Sequence, residues 1–233
     1  MKWGAECQSG IGMEVVNVPG VWETVMNGNE RMIAEQLVPR GIRDPRVLEA
    51  FRAMPREWFV PAELQESAWA DSPLPIGGGQ TISQPYIVAY MTQALGLRPE
   101  DRVLEIGTGS VYQTAILSRL AAHIYTAEIV PELAAKAKRT IERLGLRNVT
   151  FQVGDAFEVF RDQAPFDAIL AAAAPSVLPR EVHDQLAEGG RAILPVGSWE
   201  QTLILLVKKD GELRSEPLIG VRFVPLIRSE RVP

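Results

Sequence analysis

Residues 102–113, RVLEIGTGSVYQ, hold the first side chains whose types and spacing could do chemistry. Val103, Leu104 and Ile106 make a short, apolar, partly β-branched run, which predicts a buried strand with Glu105 inside it. Gly107, Thr108, Gly109 and Ser110 predict a tight turn, and Ala115, Ile116 and Leu120 predict a helix over 112–120. Strand, glycine turn and helix open a nucleotide-type α/β fold. Glycine lets the backbone bend sharply and lie against a ligand, and the helix N-terminus offers free N–H donors. Glu128 ends the next apolar strand, 123–127, and stands 21 positions after Gly107. An acid at that spacing is placed to accept hydrogen bonds from both hydroxyls of a ribose. Its plainer role would be a charge at the start of the helix that begins near Pro131.

The motif also excludes a reading. A dinucleotide fingerprint needs a third glycine at position 112, and that residue is Tyr112. A nicotinamide dehydrogenase is disfavoured on this ground. The pattern is Glu-x-Gly-x-Gly from Glu105 to Gly109, which resembles the first motif of the S-adenosylmethionine (SAM)-dependent methyltransferases.

These groups need a framework. Residues 1–28 mix valines with glycines and Pro19 and read as an extension without an assigned role. Asn29 is placed to cap a helix over 30–37 that Pro39 stops, and Asp44 and Pro45 start a second that ends at Pro55. Further on, a helix over 131–144 is amphipathic through Leu133, Ala137, Ile141 and Leu144, with Gly145 as its C-cap. Strands are expected over 149–153, 166–171 and 191–196, with a short helix over 179–187. Two more strands, 201–209 and 221–227, are joined through the hairpin signal Asp210-Gly211. The expected fold is α/β and Rossmann-like: a seven-stranded, mostly parallel sheet with one antiparallel strand and helices on both faces. Residues 29–233 form one domain in this reading, with 29–98 as helical cap and substrate loop and 99–233 as the cofactor-binding sheet.

Residues 69–92 carry the second informative pattern. Pro73, Pro75, Gly77, Gly78, Gly79 and Pro85 fix the path of a loop that leads directly into a helix over 86–95. Ser83, just before Pro85, is placed to cap that helix. The run from Asp71 to Pro85, DSPLPIGGGQTISQP, resembles the signature loop of the protein-L-isoaspartate O-methyltransferases. So do 103–113, Gly154-Asp155, 172–175, 189–191, 194–197 and 222–226, and the resemblance spans about 30–228.

That resemblance implies transfer of a methyl group from SAM to the free carboxylate of L-isoaspartyl residues in damaged proteins and peptides, leaving S-adenosyl-L-homocysteine. The ester then closes to a succinimide that reopens partly to Asp. Ser83 is implied as the catalytic residue. Thr81, Ile82, Glu105, Gly107, Thr108, Gly109, Ser110, Gln113, Glu128, Ile129, Gly154, Asp155 and Ala156 are implied at the cofactor, Asp155 and Ala156 beside the adenine. Asp71, Ile76, Gly77, Gly79 and Val221 are implied at the substrate, which would bind through its main chain; fixing the loop is the other role open to Asp71. Three positions depart from the family pattern: Val111 and Ala156 stand where Gly is usual, and Gly78 where His is common. Val111 is expected to crowd or cover the cofactor's carboxylate end. The competing readings are a methyltransferase acting on Asp of one dedicated peptide and a SAM-binding protein without turnover.

Composition sets outer bounds. The chain of 233 residues is 46% apolar and 23% charged, ordinary for a soluble globular protein. A net charge of −5 argues against a general affinity for nucleic acid or anionic membrane. One cysteine and two histidines make neither an intrachain disulfide nor a zinc site, so no metal is expected. No apolar run has the length of a membrane span and the N-terminus lacks a signal-type core, so a cytoplasmic monomer is the expectation.

Overall fold

The computed structural model describes residues 27–228. The expected extension 1–28 lies outside the described residues except for Asn27 and Gly28.

The cap begins with α1 (Gly28–Met32), which widens through a π turn at Ile33–Leu37 and tightens at Val38–Arg40. Its N-cap is Asn27, whose side chain accepts the Glu30 N–H at 2.9 Å. The sequence pattern points to Asn29 for this role. Asn29 is instead buried, and its Nδ2 donates to Phe51 O at 3.0 Å, which ties α1 to the next helix. That helix, α2 (Pro45–Ala53), starts as expected, with Asp44 accepting the Arg46 N–H.

After two short 3-10 turns, the stretch read as an open loop folds into a hairpin. Its strands are β1 (Leu74–Gly77) and β2 (Gln80–Ile82), antiparallel, and the turn between them uses positive φ at Gly77, Gly78 and Gly79. Then come α3 (Pro85–Leu95), β3 (Arg102–Ile106), α4 (Tyr112–Ser118), β4 (His123–Glu128) and α5 (Pro131–Leu144). They are followed by β5 (Val149–Val153), α6 (Ala156–Val159), β6 (Phe166–Ala171), α7 (Arg180–Gln185), β7 (Leu186–Val196), β8 (Gln201–Lys209) and β9 (Glu212–Val221).

Seven strands form the main sheet in the order β5-β4-β3-β6-β7-β8-β9. β8 alone runs against its neighbours, as the sequence predicts. Strand order reverses between β3 and β6, and the carboxyl ends there carry the glycine turn on one side and Ala171 on the other.

Alternate residues of β3 face opposite cores. Val103 packs with Phe51, Met91 and Leu117 under the cap, whereas Leu104 and Ile106 pack with Phe157, Phe160 and Ile169. Tyr112, the residue that broke the dinucleotide fingerprint, is buried between the rings of Phe51 and Phe59, with centroids at 5.8 and 5.2 Å. It thereby locks the cap onto the sheet. Among the described residues, no helix is long and apolar enough to cross a membrane.

Two strand boundaries differ from expectation. The last strand is Glu212–Val221, not 221–227. A two-residue turn at Asp210-Gly211, both at positive φ, forces pairing to start at Lys209↔Glu212. Polar residues and Pro217 disguise this strand, and its place at the sheet edge is what permits a proline. Residues 222–228 then leave the sheet, held by Ala174 N–H to Val224 O and Leu226 N–H to Ala174 O, both 2.8 Å.

The other difference is β7, which starts at Leu186 and kinks through Gly189 and Gly190 where its register with β6 shifts. A Cβ on Gly190 would sit 2.8 Å from Ala187 O and 3.0 Å from Asp167 O, both backbone atoms. Gly190→Ala is therefore expected to cost about 1–3 kcal/mol. For a chain of this size that lowers the thermal midpoint by roughly 2–12 °C in a calorimetric scan; an unchanged midpoint would show that β7 can relax there.

Candidate active site

The glycine turn is held open by bonds to the neighbouring strand. Gly107 and Thr108 both donate to Ala127 O at 3.1 Å, with Gly107 at φ +89° and Gly109 at φ +53°. Glu128 fastens the turn from the side. Its Oε2 accepts the Gly109 N–H and its Oε1 the Val130 N–H, each at 2.9 Å. Each oxygen keeps capacity for a further hydrogen bond. At the end of β5, Gly154 at φ +136° is followed by Asp155, whose Oδ1 accepts the Phe157 N–H at 3.1 Å. Asp155 Oδ2 is bonded to Arg228 Nε at 2.5 Å, and Arg228 also reaches Glu181 at 3.0 Å.

The glycine turn, Glu128, Val130, Gly154 and Asp155 line one cleft. Every residue expected at the cofactor lines it except Glu105. Gln80 and residues 224–227 complete the walls. The sequence marks this tail as a strand and as part of a family motif but not as a wall of the cleft, and Arg228 carries no signal in the sequence. A second groove opens on the other side of the 81–83 segment. Arg40, Tyr86, Trp199, Val221 and Phe223 line it. Thr81 and Ser83 belong to both.

The family model for protein-L-isoaspartate(D-aspartate) O-methyltransferase matches residues 27–231. The chain belongs to this family. It is 50% identical to the protein-L-isoaspartate O-methyltransferase of a Picosynechococcus species over 84% of this chain and 89% of that one. A Synechococcus relative of the same name is 44% identical over 97% of both chains. A Plasmodium falciparum structure assigned to the same activity, in complex with S-adenosyl-L-homocysteine, superposes with a TM-score of 0.77 at 27% identity, over 88% of this chain and all of that one. The protein is thus a SAM-dependent carboxyl methyltransferase, and the cleft has groups that fit its cofactor: a glycine cradle, a buried carboxylate and an acid at the far strand end.

Several residues of this methyltransferase stand apart from their expected places. Val111 does not crowd the cleft. Its side chain is 0% exposed and packs in the core under the cap, while its backbone takes φ +74° as the N-cap of α4. A β-branched residue is strained there, and burial of its side chain offsets the strain. Ser83 does not cap α3. Gln84 holds that position without a side-chain bond, and the Asp71 carboxylate accepts the Tyr86 N–H at 3.0 Å. Asp71 also pairs with Arg40 and with Gln84 Nε2, so it anchors the loop and lines neither cleft. Val221 lines the groove beside Ser83, but Ile76, Gly77 and Gly79 do not. The hairpin leans the other way, onto α5, where a Cβ on Gly78 would meet Val130 Cγ1 at 3.1 Å.

Glu105 lies beneath the turn, 0% exposed, and accepts the Thr114 hydroxyl at 2.6 Å. It supports the cofactor cleft from below rather than lining it. Burial pushes its carboxyl up to about 7, opposed by the hydroxyls of Thr114 and Thr126. A carboxyl with a raised folded-state pKa stabilises most below its unfolded value, and that contribution is lost as pH climbs to the folded value. The span from 4.5 to about 7 is worth roughly 3 kcal/mol. Glu105→Gln should therefore gain on the wild type as pH rises. The difference in thermal midpoint is expected to widen by about 5 °C or more between pH 5 and pH 8, and a gap independent of pH would show that Glu105 does not titrate in this window.

Proposed function

We propose that this methyltransferase esterifies L-isoaspartyl carboxylates with Ser83 as the hydrogen-bond donor that orients the acceptor. One observation carries the reading: Ser83 and Thr81 line both the cofactor cleft and the groove next to it. A methyl donor in one and a polypeptide in the other would meet at that wall.

SAM supplies an activated methyl group on its sulfonium. The acceptor needs no general base, because a carboxylate with a pKa near ~4 is already an anion at neutral pH. What the chain contributes is orientation and exclusion of water. In this reading the Ser83 hydroxyl donates to one carboxylate oxygen and leaves the other free to attack. Glu128 holds the ribose, and Asp155 and Ala156 hold the adenine. The groove beside Val221 takes extended polypeptide through main-chain contacts, which suits a lesion that occurs in any sequence. We further infer a cytoplasmic monomer that serves isoaspartyl proteins and peptides, from the single cysteine and the net charge of −5.

Labelled SAM should methylate an isoaspartyl peptide as a base-labile ester and leave its aspartyl twin unlabelled. Equal labelling of both would refute the specificity. Ser83→Ala should lower kcat about a hundredfold, the scale of losing one oriented donor, with product-cofactor affinity within about threefold. Glu128→Gln should act on the other axis. Its amide meets a backbone N–H and loses the charge-assisted acceptor, so the Kd for S-adenosyl-L-homocysteine in calorimetry is expected to rise about 10–100-fold.

A further inference from the structure

Arg56 is a buried cation whose bonded partners are all main-chain carbonyls. It is 0% exposed. Its Nη1 donates to Ala68 O at 2.8 Å and Ala70 O at 3.2 Å, and its Nη2 to Ser72 O at 2.9 Å and Ser83 O at 3.1 Å. Burial lowers its pKa to about 10, with Asp71 near enough to oppose the shift, so it stays charged at neutral pH.

A buried charge is a poor way to gain stability, since a well-packed apolar side chain of similar volume is often as good or better. What a planar fork does that an apolar side chain cannot is fix several oxygens at set positions in one plane. Of its four acceptors here, Ser83 alone lines the clefts. Ser83 also sits where regular structure holds the chain least. The hairpin ladder ends at Leu74↔Ile82, and the helical bonds of α3 begin with the Val88 N–H to Gln84 O. Pro85 has no N–H to offer.

We propose that Arg56 is a positioning residue for methyl transfer: by holding the Ser83 carbonyl against those of Ala68, Ala70 and Ser72, it sets where the Ser83 hydroxyl stands between cofactor and acceptor. This rests on the reading of Ser83 as the donor to the acceptor carboxylate. Arg56 touches neither reactant, so its effect passes through Ser83 and is read in turnover rather than in cofactor binding.

The test is a double-mutant cycle on the full chain with an isoaspartyl peptide. Arg56→Lys keeps a charge but replaces the planar fork with a single ammonium. It is expected to lower kcat at least tenfold while KM and the calorimetric Kd for S-adenosyl-L-homocysteine stay within about threefold. Adding Arg56→Lys to Ser83→Ala should slow the enzyme by less than about twofold, because a residue that acts only through Ser83 has nothing left to position. A kcat within threefold of wild type in Arg56→Lys would overturn the proposal, as would penalties that multiply in the double variant. Loss of cofactor binding in both Arg56→Lys and Arg56→Gln would mark a core brace and overturn it too. Wild-type turnover in Ser83→Ala would instead sink the reading of Ser83, and slow Ser83→Ala beside fast Arg56→Lys would sink only the role of Arg56.

Discussion

The Glu128 carboxylate joins two turns that the sheet brings side by side. One oxygen takes a backbone N–H from the turn after β3 and the other takes one from the turn after β4. Both strands are parallel and adjacent, so their carboxyl ends face the same edge, and one side chain can serve both. Without that bridge the glycine turn would lose its lateral support and the cleft one of its buried carboxylates at once. The rest of the molecule keeps this pair of turns in place. Tyr112 packs the cap onto the helix that follows the first turn, and Glu105 fills the space below it.

The turn, the spaced acid and the strand-helix alternation were legible because they are local. Each follows from residues close in sequence or from a fixed interval, and the structure keeps them: Gly107, Gly109, Glu128, Gly154 and Asp155 all line one cleft. The topology follows from the same alternation and from one two-residue turn. What could not be read was set by long-range partners. Asn29 looks like a cap until Phe51 O claims its amide. Ser83 looks like a cap until Asp71 supplies the carboxylate from 15 residues away. Val111 looks like an obstruction because sequence shows its bulk and not its direction, which is into the core. Glu212–Val221 hid as a strand because an edge tolerates what a central strand does not.

The loop before α3 shows how a segment with little regular structure can still be well defined. Its anchors are charged side chains: Asp71 within the loop pairs with Arg40 of the cap, and Arg56 holds the carbonyls on the other side. Proline and glycine set the path, but these side chains set the position. A site on a loop is held less precisely than one on a strand unless its supporting side chains are themselves locked, and these anchors supply that support.

The cofactor cleft is walled by Gln80 to Ser83 on one side and by Val224 to Ile227 on the other, with Arg228 fastening the second wall to Asp155. These segments are nearly 150 positions apart in the chain, and neither belongs to the central sheet. A molecule bound between them draws its binding free energy from the pair, and by linkage returns stability to both. Saturation at a hundred times Kd would thus add up to about 2.7 kcal/mol against local opening of either wall. Two wall segments far apart in sequence would thus share one source of stabilisation, and the cofactor would be a structural tie between them as well as a reactant.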